Sequence, residues 1–235
     1  PDPYRQVQAP DGESRRARQA ATLARLAYAR DGRIADDYVR DAHLRGESAD
    51  AICLELLAPA ARVLGQLWLD DRCSFLDVTL GTIRLQRSLR RLAPCFAPER
   101  PLLQAGPSAL LAPTPGEQHG FGLQMAAELY RRDGWNVHAG VQPTMTGICL
   151  AAADHWFDMI GLSLGSDQWV DACADLIRHL RDTSRNPDVL IVIGGPLLSI
   201  RQDVASYVAA DAVSDSHVDA PRRIRERLAD GTLAV

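Results

Sequence analysis

Glu117 and His119 stand two positions apart in "PTPGEQHGFG", residues 113–122, where a proline-rich lead-in gives way to glycines. A carboxylate so placed can hydrogen-bond one ring nitrogen of the imidazole. That fixes the tautomer and raises the basicity of the other nitrogen, which suits a histidine that ligates a metal. Gln118 and Phe121 complete the stretch, and Gly120 and Gly122 strip it of side chains, leaving room for a broad, flat body. Two other stretches carry related chemistry. Ser163-Leu164-Gly165-Ser166 offers a hydroxyl after an apolar run, and Gly194-Gly195-Pro196 offers backbone that an aromatic body can approach closely.

Taken singly, each has a plain meaning: a solvated histidine, a glycine pair in a turn, a serine capping a helix. Glycines ahead of a helix also suit a phosphate. The loop, however, reads G-x-x-x-G-x-G rather than G-x-G-x-x-G, and no acidic residue follows the second predicted strand.

The elements that must hold these stretches alternate. Apolar runs at 108–113, 135–141, 157–165 and 188–196, with a short one at 211–215, predict five strands. Amphipathic segments at 121–134, 146–156, 166–182, 200–210 and 219–230 predict a helix after each, the third with Ser166 as its N-cap. Five β-then-α units imply an α/β, doubly wound, five-stranded parallel sheet of the flavodoxin-like kind. In such a sheet the loops after strands one, three and four share the carboxyl edge, where ligands bind.

Upstream the period is helical. Residues 14–94 predict an antiparallel helical bundle, with a stripe at Ala20, Leu23 and Ala27, a Ser48 N-cap, and Pro59 kinking or splitting the third helix. The last helix carries Phe75, Val78, Ile83, Leu85 and Leu89 among its apolar residues. It also carries Arg84, Arg87, Arg90 and Arg91, read as an exposed basic face. Residues 1–13 read as a flexible tail, 95–107 as a linker, and 108–235 as the second domain.

Composition narrows the class. The 235 residues carry a net charge of −4, which argues against a simple electrostatic binder of nucleic acid. Every one of the 26 basic residues is Arg. A Walker-type phosphate loop and Schiff-base chemistry both require Lys and are thereby excluded. The five cysteines form no C-x-x-C pair, so neither zinc nor a disulfide framework is signalled, and a reducing cytoplasm fits. No apolar run reads as long enough to span a bilayer, and no signal peptide opens the chain.

The loop motifs together resemble the cobalamin-binding domain, whose pattern is D/E-x-H-x-x-G, then S-x-L, then G-G. Glu117-Gln118-His119 with Gly122 matches the first part and Gly194-Gly195 the third. The second departs, since Gly165 stands where Leu is usual. The resemblance covers residues 108 to about 230. It implies that His119 replaces dimethylbenzimidazole as the lower axial ligand of cobalt. The displaced nucleotide tail would enter a slot where Ser163 bonds the base and Gly194-Gly195 line the path. Adenosyl, methyl and hydroxo forms of cobalamin stay open.

The helical region resembles the cap of that domain's relatives, with Trp68 in "LWLDDRCSFLDVTLG" as the residue over the upper face of the corrin. In photoreceptors of the CarH kind a His follows that Trp and a Glu-His pair comes later. Here Leu69 follows, and Val78-Thr79 take the pair's place. The cap together with "GEQHGFG" is most similar to the AerR/PpaA group. The group implies a cobalamin-binding, light-responsive antirepressor, not an enzyme, acting on an aerobic repressor of photosynthesis genes of the CrtJ/PpsR type. Any contact with DNA would be weak or indirect, and oligomeric state is not implied. The alternatives are a corrinoid carrier of a methyltransferase system and a heme sensor using His119.

Overall fold

The computed structural model describes residues 15–96, 106–117, 120–201, 203–214 and 219–230, which fall into two compact units, one ending at Phe96 and one beginning at Ala97.

The first unit is helical: α1 (Arg15–Tyr28), α2 (Arg33–Leu44), α3 (Ala49–Ile52), α4 (Ala58–Leu69) and α5 (Phe75–Leu92). The stripe of α1 is buried at Ala20, Leu23, Ala24 and Ala27. Ser48 caps α3 by accepting the Ala51 N–H at 3.1 Å. Pro59 does not split the helix. A π turn at Cys53–Leu57 joins α3 to α4, with the Ala58 N–H reaching the Cys53 carbonyl. Proline lacks an N–H and crowds the carbonyl four residues back, and the wider π turn absorbs that mismatch.

The continuous run Ala49–Leu69 corrects one expectation. By length and composition it is apolar enough to cross a membrane, with a mean hydropathy of 1.4. Glu55 and Arg62 interrupt it, and Ile52, Leu56, Leu57 and Leu64 are buried in the bundle.

A capping box opens α5: Ser74 Oγ accepts the Asp77 N–H while Asp77 Oδ2 accepts the Ser74 N–H. Leu85, Leu89 and Leu92 are buried, and Gly81 lets the Leu64 side chain lie against the helix. Phe75 and Ile83 are not core; Phe75 is 72% exposed. Three of the α5 arginines, Arg84, Arg87 and Arg91, are also not free. Arg84 Nη1 donates to the Ala27 and Ala29 carbonyls at 2.8 and 2.5 Å, at the carboxyl end of α1. Arg87 Nη2 donates to the Gly32 carbonyl at 2.7 Å. Arg87 and Arg91 both pair at 2.7 Å with the buried Asp36, which also accepts the Ser88 hydroxyl at 2.7 Å. Buried carbonyls and carboxylates demand partners, and these guanidinium groups supply them.

The second unit holds five parallel strands: β1 (Ser108–Pro113), β2 (Asn136–Ala139), β3 (Met159–Ser163), β4 (Leu190–Gly194) and β5 (Ala212–Ser214), in the order β2-β1-β3-β4-β5. This is the flavodoxin-like order. The helices are α6 (Phe121–Arg132), α7 (Met145–Asp154), α8 (Val170–Thr183), α9 (Val204–Tyr207) and α10 (Ala220–Asp230). Strand residues Leu110, Ala112, Ile160, Leu162, Ile191 and Ile193 share a core with α7 and α8. Their alternates Ala109, Leu111, Met159, Leu190 and Val192 pack with Ala127 and Tyr130 of α6 and Ile224 of α10. Strands buried on both faces read as unbroken apolar runs, which is why they are visible in the sequence. Two local expectations fail. Ser166 makes no side-chain cap; a 3₁₀ turn, Asp167–Trp169, intervenes before α8. The helix expected over 200–210 shrinks to α9, with a 3₁₀ turn at Pro196–Ser199 ahead of it.

Candidate cofactor site

The sheet order reverses between β1 and β3, because the chain leaves β1 outward for β2 and returns to β3 on its other side. Open α/β sheets bind ligands at such a switch point, outside the carboxyl ends of the strands. Four strands end there in register: Pro113 with Ser163, Ser163 with Gly194, Gly194 with Ser214. Side chains alternate along a strand. Leu162 and Ile193 belong to the α7/α8 core, so Ser163, Gly194 and Ser214 project on the α6/α10 face. That row carries nothing bulkier than a serine, and neither the Ser163 nor the Ser214 hydroxyl is hydrogen-bonded among the described residues.

The turn after β1 is fastened to β3. Thr114, fully buried, donates both its N–H and its Oγ1 to the Ser163 carbonyl, at 3.0 and 2.9 Å. The Glu117 N–H closes onto the Thr114 carbonyl at 2.9 Å. Gly116 has φ +91°, and the Trp169 ring lies where its Cβ would be. Glu117 is only 5% exposed, and its Oε2 accepts the Gly165 N–H at 2.9 Å. Gln118 and His119 lie outside the described residues. Gly120 then stands at the head of α6, and a Cβ at Gly120 or Gly122 would meet only open space.

Phe121 and Leu164 are buried. The Leu164 N–H donates to the Gly194 carbonyl at 2.8 Å, locking the loops after β3 and β4 together. Gly195, at φ +120°, presses on the Leu164 backbone, so its bareness serves the protein's own packing. Pro196 is exposed at the start of its 3₁₀ turn. Thr114, Trp169 and Ser214 escaped the sequence reading. Thr114 adjoins prolines, and Ser214 ends a strand of only three residues, so neither carried a periodic signal.

In the helical unit Trp68 is 46% exposed at the end of α4, rather than a core residue. Leu69, Phe75 and Leu76 near it are also exposed, while Val78 and Thr79 are half-buried. The bundle core does not need these apolar side chains.

Residues 107–222 match the family described as the B12 binding domain. A protein of Rhodobacter capsulatus, described as an uncharacterized 20.5 kDa protein in the bchF-crtJ intergenic region, is 30% identical over 179 residues, which are 76% of this chain and 91% of that one. The chain belongs to the cobalamin-binding, AerR-like family. Its cofactor is cobalamin. Among solved structures, the monomethylamine corrinoid protein of Methanosarcina barkeri superposes with a TM-score of 0.72 at 15% identity, over 89% of this chain and 98% of that one. At that identity the likeness is one of fold: a helical unit before a parallel sheet.

The residues present fit the cofactor. A row of small side chains opens one face of the sheet at its carboxyl end, two serine hydroxyls there lack partners among the described residues, and the head of α6 is glycine with open space beside it. Ser163, Gly194 and Ser214 would flank a nucleotide tail.

Proposed function

We propose that this protein is a cobalamin-dependent regulator that acts by binding a transcriptional repressor of the CrtJ/PpsR type, with His119 as the lower axial ligand of cobalt. The observation that carries the regulatory reading is the relative described by its place between bchF and crtJ, at 30% identity over 91% of that protein. In this reading Ser163 bonds the displaced base, Gly194 and Ser214 border its path, and Trp68 is the cap residue for the upper face of the corrin. Cobalamin, when bound, supplies a cobalt whose upper ligand can be lost to light. A change of upper ligand shifts the protein only through a difference in affinity between two states of the cap. Exposed Trp68, Leu69, Phe75 and Leu76 are the surface available to register it. All five cysteines are free thiols, which agrees with work in the cytoplasm, where such a repressor acts.

The test is capture of the repressor by this protein loaded with alkylcobalamin in the dark, the same after illumination, loaded with hydroxocobalamin, and without cofactor. Capture should depend on the cofactor state. Equal capture in all four conditions would overturn the regulatory reading. Exchange of methyl groups with a methyltransferase, in place of repressor capture, would make the protein a corrinoid carrier.

A further inference from the structure

We infer that Glu117 and Gly165 are a matched pair, a latch that positions the loop carrying His119; this rests on the cobalamin reading above. Glu117 is held through both its backbone and its carboxylate. Its N–H is bonded to the Thr114 carbonyl at 2.9 Å and its Oε2 accepts the Gly165 N–H at 2.9 Å. The residue two positions before His119 is therefore registered on the loop after β3, two positions beyond Ser163. The turn after β1 and the loop after β3 share one anchor.

Gly165 is glycine for reasons of space. Its backbone is not among the left-handed glycines of the chain, so conformational freedom does not require it. A Cβ there would overlap Glu117 Oε2 and crowd the carboxyl carbon. The bare Cα is what admits a buried glutamate carboxylate to the amide of residue 165. A side chain at 165 would turn the carboxylate away and free the loop. The departure of this chain from S-x-L and its use of Glu at 117 thus belong together. Glu117 is a positioning residue: it anchors the chain two positions before His119.

The test compares full-length wild type with Gly165→Ala, Glu117→Ala, Glu117→Gln and the Glu117→Ala/Gly165→Ala double variant. Each is measured for apo-protein melting, cobalamin affinity, and the fraction with histidine on cobalt. The last is read from the cobalt(II) EPR of ¹⁵N-histidine-labelled protein, where the nitrogen coupling separates imidazole from dimethylbenzimidazole. Gly165→Ala should leave apo melting nearly unchanged, since a flexible carboxylate end is what must move. It should weaken cobalamin binding about tenfold, the scale of one hydrogen bond to a charged group, and lower the histidine-ligated fraction. Glu117→Gln keeps an acceptor oxygen and should behave close to wild type. In the Glu117→Ala background the alanine at 165 should have no further effect. The proposal is overturned if Gly165→Ala changes neither affinity nor ligation, or if its effect persists undiminished without the glutamate, which would mark general destabilisation. Wild type failing to bind cobalamin would instead refute the cofactor reading itself.

Discussion

Gly195 lies against the backbone of Leu164 with φ +120°, so that any Cβ at 195 would fall inside the Leu164 peptide. The glycine pair after β4 therefore divides its work. Gly195 serves the fold, and Gly194, whose Cβ would meet the Ser214 Cβ at an ordinary 3.5 Å, is free to border a ligand.

Gly195→Val should unfold the second unit more readily. Over-packing costs about 1–3 kcal/mol, and a left-handed β-branched residue adds about 1–2 kcal/mol. The variant should lose cobalamin and cobinamide alike. Gly194→Ala should melt as wild type does and weaken cobalamin while sparing cobinamide, which lacks the tail. Binding titrations with both corrinoids read the difference; equal losses for Gly194→Ala would remove the tail from this row.

His119→Ala should abolish tight cobalamin uptake or leave the cofactor with its own base on cobalt. The absorption spectrum of protein mixed with hydroxocobalamin reports which. A variant that binds normally with an unchanged spectrum would show that another group serves as the lower ligand.

Arg84 and Arg90 should behave oppositely. Arg84→Ala strips the Ala27 and Ala29 carbonyls of their donor and should destabilise the helical unit by about 1–3 kcal/mol. Arg90 is exposed and forms no ion pair among the described residues, so Arg90→Ala should change stability by less than about 0.5 kcal/mol. If α5 meets the repressor through charge, Arg90→Glu should weaken capture without moving the melting curve. Unchanged capture would place the contact elsewhere.

Ser74→Ala should lower stability by about 1 kcal/mol through loss of the α5 cap. Hydrogen bonds from the Ser74 hydroxyl and N–H hold the Asp77 carboxyl below its ordinary range. A depressed folded-state pKa contributes stability above the unfolded value, about pH 4, that is lost as pH falls through the lowered one. The gap between wild type and Ser74→Ala should therefore be full at pH 7 and shrink below about pH 4. Urea melts across that range would show it; a gap that widens in acid would contradict the assignment.

Much of the architecture was legible in the residues themselves. Buried parallel strands read as apolar runs, and SALLAP at 108–113 coincides with β1. Helices declare one apolar stripe, as at Ala20, Leu23 and Ala27. The loop glycines and Glu117-x-His119 marked the carboxyl edge of the sheet, because motif spacing is a local property. Partners are not local. Arg84 and Arg87 look like solvated charges until residues 55–57 positions away present bare carbonyls. Phe75 is one of the apolar residues of its helix, yet it is exposed, because periodicity says which face a residue takes and not whether anything covers that face. Ser214 joins Ser163 and Gly194 only through strand register. Gly165 reads as a lapse from the family pattern until Glu117, 48 residues earlier, is found with its carboxylate where a side chain would be. By itself the sequence determined the elements, their order and the edge at which they converge. Only the tertiary structure decided which glycine makes room for the protein's own backbone, because that depends on atoms brought into contact across the sheet.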